Sequence, residues 1–310
     1  MRPLRIGSRG SVLALWQANA VRDRLVHAAG VEAEIVIIKT SGDRFQQAPV
    51  GQLGLKGVFI KELEDALLEG GVDLAVHSMK DVPTEIPAGL VFPAICERED
   101  VRDALVARAG AKLAELPARA RVGTSSLRRQ SQLRHYRPDL ELRDLRGNVD
   151  TRLKKLERGD YDAIVLAKAG LDRLGWSHKI TEAISTDVSL PAVGQGALGV
   201  EARADDREVL EVLARLDHAE TRGAVTAERA LLAELEGGCQ VPLGAWARVE
   251  QGELILDACI LSVDGTEYLR LRTTGPPQNA EALGRELAQA MLAAGADKIL
   301  RLAGRNVGNQ

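Results

Sequence analysis

Three short stretches of this chain carry residue types that could do chemistry. The first is His77-Ser78-Met79-Lys80-Asp81-Val82-Pro83, which sets a lysine beside a carboxylate just past an apolar run, Asp73 to Val76. α/β proteins place their reacting groups at such strand ends. There Asp81 could steady a developing cation or accept an N–H, although a Lys-Asp pair before proline is also an ordinary solvated turn. The second is Gly237-Gly238-Cys239-Gln240-Val241-Pro242, whose glycines and proline make Cys239 a loop residue. Cys96 and Cys259 read instead as buried small hydrophobes in apolar strands. A thiol past a helix C-terminus gains no acidity from the dipole, which has the wrong sign there. Cys239 is therefore either inert or a tether for a group that is already electrophilic. The third stretch, residues 119–158, holds twelve Arg and Lys against five Asp and Glu in a chain of net charge −3. A surplus of this size marks a site for a strongly anionic partner or a solvated helical surface. Its arginines favour two-oxygen acceptors such as carboxylate and phosphate.

Two glycine patterns are weaker. Gly51-Gln52-Leu53-Gly54-Leu55-Lys56-Gly57 precedes a helix but lacks the Gly-Lys-Ser/Thr ending of a phosphate loop, so residues 41–57 read as a surface lid. Gly194-Gln195-Gly196-Ala197-Leu198-Gly199 matches the dinucleotide spacing, yet Val200-Glu201-Ala202 reads as a strand where a helix is required. The match is a coincidence. No Ser-His-Asp, zincin or Cys-His signature is present.

The elements that must position these residues alternate. Leu4–Ile6 and Glu34–Ile38 read as strands, and Ser11 as the cap of a helix with Leu13, Trp16 and Ala20 on one face. A helix with Ile60, Leu63 and Leu67 in line follows. The pattern repeats with strands at 104–106, 122, 140–142 and 163–166 and helices over 127–135 and 149–156. Two α/β lobes in series predict a cleft between them, with the Gly- and Pro-rich stretch 189–196 crossing back to the first. From Glu220 the character changes: a long helix ending at Glu236, strands at 245–249, 254–261 and 268–272, and a closing helix over 280–292 predict a small α+β domain. The expected division is 1–97 with 194–216, then 98–193, then 217–310.

With 45% hydrophobic, 27% charged and 3% aromatic residues, the composition is that of a soluble protein with an aliphatic core. No apolar run approaches the ~18–20 residues of a membrane span, and no apolar signal core follows Met1. Three widely separated cysteines fit a reducing cytoplasm, and the five histidines show no metal-ligand spacing.

Taken together these segments resemble the porphobilinogen deaminase family. The resemblance is carried by Arg5-Ile6-Gly7-Ser8-Arg9 with Ser11 and Leu13 to Gln17, by His77 to Pro83, and by Val122 to Arg129. It continues through Leu145 to Val149 with Thr151-Arg152-Leu153, Leu190 to Gly196, and Glu236 to Pro242, in order from about residue 5 past 243. It implies an α/β fold of two periplasmic-binding-protein-like lobes flanking a cleft, plus a small C-terminal α+β domain. It implies a cytoplasmic, monomeric transferase of tetrapyrrole biosynthesis, joining four porphobilinogen molecules head to tail with loss of ammonia and then releasing hydroxymethylbilane. The primer would be a dipyrromethane cofactor, made from the substrate and joined by a thioether to Cys239.

By the same resemblance Asp81, with Lys80, is catalytic: it would hold pyrrole N–H groups and stabilise the cation left when ammonia departs. Lys80, Asp81, Ser126, Arg128 and Arg129 would hold the cofactor with Cys239. Arg9, Ser11, Arg146, Arg152, Arg173 and Gln195 would bind substrate and the growing polycarboxylate chain. One departure is visible: many relatives carry two lysines in the lid, whereas here Lys56 matches one and Gln52 stands in the other's place. Two other classes fit the charge pattern alone: a non-enzymatic two-lobed carboxylate binder, and a nucleic-acid binder using 119–158. Few aromatics and a negative net charge count against the second. Nucleic acid, membrane and metal are thus not expected partners.

Overall fold

The structure, a computed structural model, describes residues 2–40, 60–235 and 242–307. Gln52, Lys56, the stretch 41–57 and Cys239 lie outside the described residues. The chain forms two compact units, Met1–Glu99 with Gly196–Arg222, and Asp100–Gln195 with Gly223–Gln310.

In the first unit β1 (Leu4–Ser8) runs parallel to β2 (Ala33–Ile37) and β3 (Leu74–Ser78). β10 (Leu198–Arg203) returns antiparallel between β3 and β4 (Leu90–Ile95), giving the order β2-β1-β3-β10-β4. Leu4, Ile6, Leu74 and Val76 pack with helix α1 (Val12–Ala29) on one face; Ala75 packs with helix α2 (Lys61–Leu68) through Leu63 and Leu67. β3, packed on both faces, opens with the apolar run Leu74–Val76, which made it legible. Ser11 caps α1, accepting the Ala14 N–H at 3.3 Å, and Gly30 ends it at φ 65°. The expected Leu13, Trp16 and Ala20 face is corrected: the buried stripe is Ala18, Val21 and Leu25 with Gln17, and Trp16 is 37% exposed. A helix seated closely on a sheet takes small residues at its contact line, so the largest apolar side chains misled.

β4 was not anticipated because Pro93 interrupts it. It is the edge strand, and its pairing with β10 shifts register there, the arrangement in which a sheet tolerates proline. At the opposite strand ends, the fully buried Asp73 accepts paired hydrogen bonds from Arg2 (2.7 Å each) and the Arg5 backbone N–H (2.8 Å), fastening β1 to the start of β3. Burial alone would raise the Asp73 pKa; the hydrogen bonds from Arg2 and Arg5 outweigh it and hold the carboxyl well below the usual range.

The second unit repeats the plan. β6 (Arg121–Gly123) is parallel to β7 (Glu141–Arg143) and β8 (Ala163–Ala167), while β5 (Asp103–Ala107) lies antiparallel between β8 and β9 (Glu182–Ala183), in the order β7-β6-β8-β5-β9. The same unit holds an antiparallel meander of β11 (Leu243–Glu250), β12 (Glu253–Leu261) and β13 (Tyr268–Gly275). One face of this meander packs on helices spanning Ala219–Leu235, Ala280–Ala293 and Ala296–Val307. The last helix was not expected; it restarts after Gly295, at φ 97°. The chain is therefore α/β with a small α+β module at its C-terminal end.

Candidate functional site

In the first unit, the ends of β1 and β3 carry the expected residues. β3 runs into a single 3-10 turn, Met79–Asp81. The turn is seated on both sides: the Met79 N–H donates to the Ala197 carbonyl at 3.0 Å, and Ser78 Oγ accepts from Gln17 Nε2 of α1 at 3.0 Å. Met79 and Val82 are buried, while Lys80 and Asp81 between them are exposed. The turn thus anchors two apolar residues and presents the two charged ones to solvent. Behind it His77 Nε2 and Glu201 Oε2 approach to 2.9 Å in the interior, and the His77 ring meets Phe92 edge-on. Arg9 and Ser11 follow β1, the parallel neighbour of β3, so all four residues gather at the C-terminal ends of adjacent parallel strands.

In the second unit the same rule holds for three strands. Ser126, Arg128 and Arg129 follow β6, Arg146 and Arg152 follow β7, and Arg173 ends the helix Lys168–Arg173 after β8. Ser126 caps α3 (Leu127–Tyr136), accepting the Arg129 N–H. Ser125 ties the β6 loop to the β7 loop, its Oγ accepting from Leu145 N at 2.9 Å. Arg152 Nε donates to the Gly147 carbonyl at 2.7 Å, and Lys155 Nζ to the Arg146 carbonyl at 3.1 Å. Gly147 sits at φ 110° with Thr151 against it, where no side chain fits.

Arg128 and Arg129 are each 6% exposed and converge on Asp103, the fully buried first residue of β5. Arg128 spans the carboxylate with Nη1 on Oδ2 (2.8 Å) and Nη2 on Oδ1 (3.1 Å). Arg129 brings Nε (3.0 Å) and Nη2 (2.8 Å) to Oδ1. Ser189 Oγ and Gln195 Nε2 complete the shell at 2.9 and 3.0 Å. Burial would raise the Asp103 pKa, but the two guanidinium charges and their hydrogen bonds hold it far below the carboxylate range. Gln195 is 1% exposed, its amide N–H groups given to Val101 O and Asp103. It stands in the interior beside Arg129, not at the surface.

Other arginines of the basic segment are structural. Arg121 grips Asp162 through Nε and Nη2 at 3.0 and 2.9 Å, and its hydrogen bonds take the Asp162 carboxyl down to about 2. Arg137 binds Asp139 and the carbonyls of Leu113 and Leu116; Arg158 pairs with Asp160 and Arg143 with Glu141. Arg134 donates to Val263 O and His135 stacks on Tyr268, fixing α3 to the turn after β12. Sequence reasoning missed Asp103, Ser189 and Gln17. A signal existed for Asp103, a charge opening the apolar run Ala104–Val106, but three other acidic residues, Glu97, Glu99 and Asp100, stand just before it without distinction. Among the described residues no group of three or more His, Cys, Asp or Glu could hold a metal ion, and no helix is long and apolar enough to cross a membrane.

Comparison with known proteins gives a consistent result. A family model described as "Porphobilinogen deaminase, dipyromethane cofactor binding domain" matches residues 4–211, and one described as "Porphobilinogen deaminase, C-terminal domain" matches 223–293. The chain is 52% identical over 300 residues to a porphobilinogen deaminase of Pelobacter propionicus, covering 96% of each. It is 52% identical over 301 residues to that of Geotalea daltonii, covering 97% of this chain and 94% of the relative. Among solved structures, a periplasmic substrate-binding protein of an ABC transporter from Coxiella burnetii aligns at 15% identity and a TM-score of 0.42, over 69% of this chain and 91% of its own.

Proposed function

The chain belongs to the porphobilinogen deaminase family, and from that premise we propose how its own residues divide the work. The reaction condenses four porphobilinogen molecules into hydroxymethylbilane with release of ammonia, on a dipyrromethane primer. The observation that carries the assignment of roles is the clustering of Arg9, Ser11, Lys80 and Asp81 in one unit, and of Ser126, Arg146, Arg152 and Arg173 in the other, at C-terminal ends of parallel strands.

The residues fit the primer. Pyrroles of this type each carry two carboxylates, and the matching donors are arginines, a lysine and a serine. Arg128 Nε is buried with no hydrogen-bond partner among the described residues, a donor that suits an anion. Lys80, Ser126, Arg128 and Arg129 would hold the primer's carboxylates, with Cys239 as its thioether anchor. When bound, the primer supplies the nucleophilic pyrrole carbon to which the first substrate is joined.

Each substrate molecule loses its aminomethyl nitrogen as ammonia; the C–N bond breaks, the electron pair leaves with nitrogen, and positive charge spreads over the pyrrole. Asp81 acts here as a fixed negative charge and N–H acceptor. Held on a turn whose flanks are buried, it needs no reorganisation as charge develops, which is the source of electrostatic catalysis. Lys80 beside it orients a carboxylate. Arg9, Ser11, Arg146, Arg152 and Arg173 receive the carboxylates of substrate and growing chain, while Gln195, which accepts from Arg129 Nη2, serves by holding Arg129 in place. We further propose that the protein acts as a monomer in the cytoplasm, to be checked by light scattering on the purified protein.

Incubation with porphobilinogen and mass detection of the linear tetrapyrrole tests the activity. Intact mass should exceed the chain by two linked pyrroles mapped to the Cys239 peptide, and Cys239→Ala should remove that excess. A Cys239→Ala protein that still carries the dipyrrole refutes the anchor. Asp81→Asn should keep the fold and lose nearly all turnover; near-normal turnover refutes its role.

A further inference from the structure

The geometry points to Asp103 as the positioning residue that makes an arginine pair into a primer clamp, and we propose that its carboxylate decides whether the primer can be loaded. The inference rests on the reading that Arg128 and Arg129 hold the primer. Neighbouring residues on one helical turn normally diverge, since positions i and i+1 do not share a face. Arg128 and Arg129 nevertheless converge, because both forks close on one carboxylate.

The shell leaves little freedom. Asp103 opens β5, the strand between β8 and β9, so its backbone is fixed by ladders on both sides. Its oxygens are further held by Ser189 and Gln195, residues of the segment that leads out of the second lobe's sheet. Arg128 Nη1 is drawn to the Leu190 carbonyl at 2.6 Å and Arg129 Nη1 to the Val165 carbonyl at 3.2 Å. Each guanidinium is thereby locked in its plane. Arg128 keeps one buried N–H, on Nε, without a partner among the described residues.

Charge makes the second half of the argument. Two buried guanidinium groups with one carboxylate carry a single net positive charge, the complement of one further carboxylate. Without Asp103 the pair would lose the carboxylate on which both forks close, and the two positive charges would repel. Burying uncompensated like charges is unfavourable, and the arginines would turn outward towards water. An amide at this position supplies one acceptor and replaces the other with a donor that faces guanidinium N–H groups.

The test compares Asp103→Asn, Asp103→Glu, Ser189→Ala and Arg128→Gln in proteins purified without primer and then given porphobilinogen. The readouts are the rate of appearance of the two-pyrrole mass increase, the melting temperature, and kcat and KM of whatever fraction loads. Asp103→Asn is expected to load at least tenfold more slowly than the unaltered protein, with Asp103→Glu recovering part of the rate because the charge is kept. Ser189→Ala, which removes one donor and no charge, keeps the proposal testable if Asp103→Asn does not fold; it should slow loading severalfold with a small change in melting. Loading at the unaltered rate by folded Asp103→Asn, or by Ser189→Ala where Asp103→Asn does not fold, overturns the role of Asp103. Unaltered loading by Arg128→Gln overturns instead the reading on which it rests.

Discussion

Gly199→Ala is a test of the seat beneath Asp81. Gly199 lies directly opposite His77 in the β3–β10 ladder, and its φ is not positive, so alanine suits the backbone and any effect is one of packing. A methyl carbon there would fall on Met79 Sδ and lie 2.8 Å from Phe92 Cδ1. Phe92 is held by its ring packing on His77. Met79 is 2% exposed and its backbone is tied through the N–H to Ala197, so a displaced Met79 side chain, with no open space to enter, presses on the turn that carries Lys80 and Asp81. Overpacking of this kind costs about 1–3 kcal/mol. At roughly 2–4 °C per kcal/mol for domains of 150–250 residues, melting should fall by about 2–12 °C. A displacement near 1 Å at a reacting group can cost on the order of a hundredfold in rate, so a shift of a few tenths should lower kcat by about tenfold. The assay is a thermal melt beside steady-state turnover of porphobilinogen, per molecule carrying the two-pyrrole mass. Met79→Ala added to Gly199→Ala makes room for the methyl and should recover much of the lost melting temperature. Unchanged melting and unchanged kcat in Gly199→Ala would refute the seat. Lower melting with unchanged kcat would refute its coupling to Asp81.

Three further outcomes are expected. Asp73 has a folded pKa below its unfolded value of about 3.9, so its contribution is present above about pH 4 and is lost as pH falls through the folded value. Asp73→Asn should therefore lower stability at pH 7 and flatten the decline below pH 4, read from urea melts at several pH values; a pH profile identical to the parent's contradicts the fastening role. Some acid sensitivity should persist through Asp162, whose carboxyl lies at about 2. Cys96 and Cys259 are buried, and burial pushes the Cys259 thiol up to about 11, so brief iodoacetamide treatment at pH 8 should label neither; rapid labelling of the Cys259 peptide counts against this packing. Gly265→Ala places a methyl 2.8 Å from Ser131 O and His135 N at a residue with φ 77°, so it should destabilise by more than about 1 kcal/mol and expose the turn after β12 to protease; a protein as stable as the parent would show that α3 does not rest on that turn.

What the sequence disclosed follows from the fold. Strands β1, β3, β5 and β8 are covered on both faces, so hydrophobicity marked them directly, and the residues after their parallel members were found as short polar motifs. β4 was hidden by Pro93, and the α1 contact line by its small residues. Ser11 was legible as a helix cap, its hydroxyl serving an N–H one turn on, whereas the capping role of Ser126 appears only in the fold. Asp103 was not, because nothing local distinguishes a carboxylate that will meet arginines some 25 residues later from its solvated neighbours. Long-range polar pairing has no sequence period. It appears only when strand order is known.

The basic segment 119–158 shows why summed charge was a poor guide and topology a better one. Its surplus suggested a continuous field able to hold any polyanion. In the fold, Arg121 and Arg158 are paired with acids just past the segment's end, Asp162 and Asp160, while Arg128 and Arg129 share Asp103, which precedes it. Much of the positive charge is thus spent on holding β5, β6 and β8 together. The arginines after β7 and β8 have a different basis: they stand at strand ends, where a ligand can be met by residues from several strands at once. The polyanion therefore is not read by the net charge of the segment. On the roles proposed above it is read by the few forks that strand order brings to strand ends, with Asp103 setting the aim of two of them.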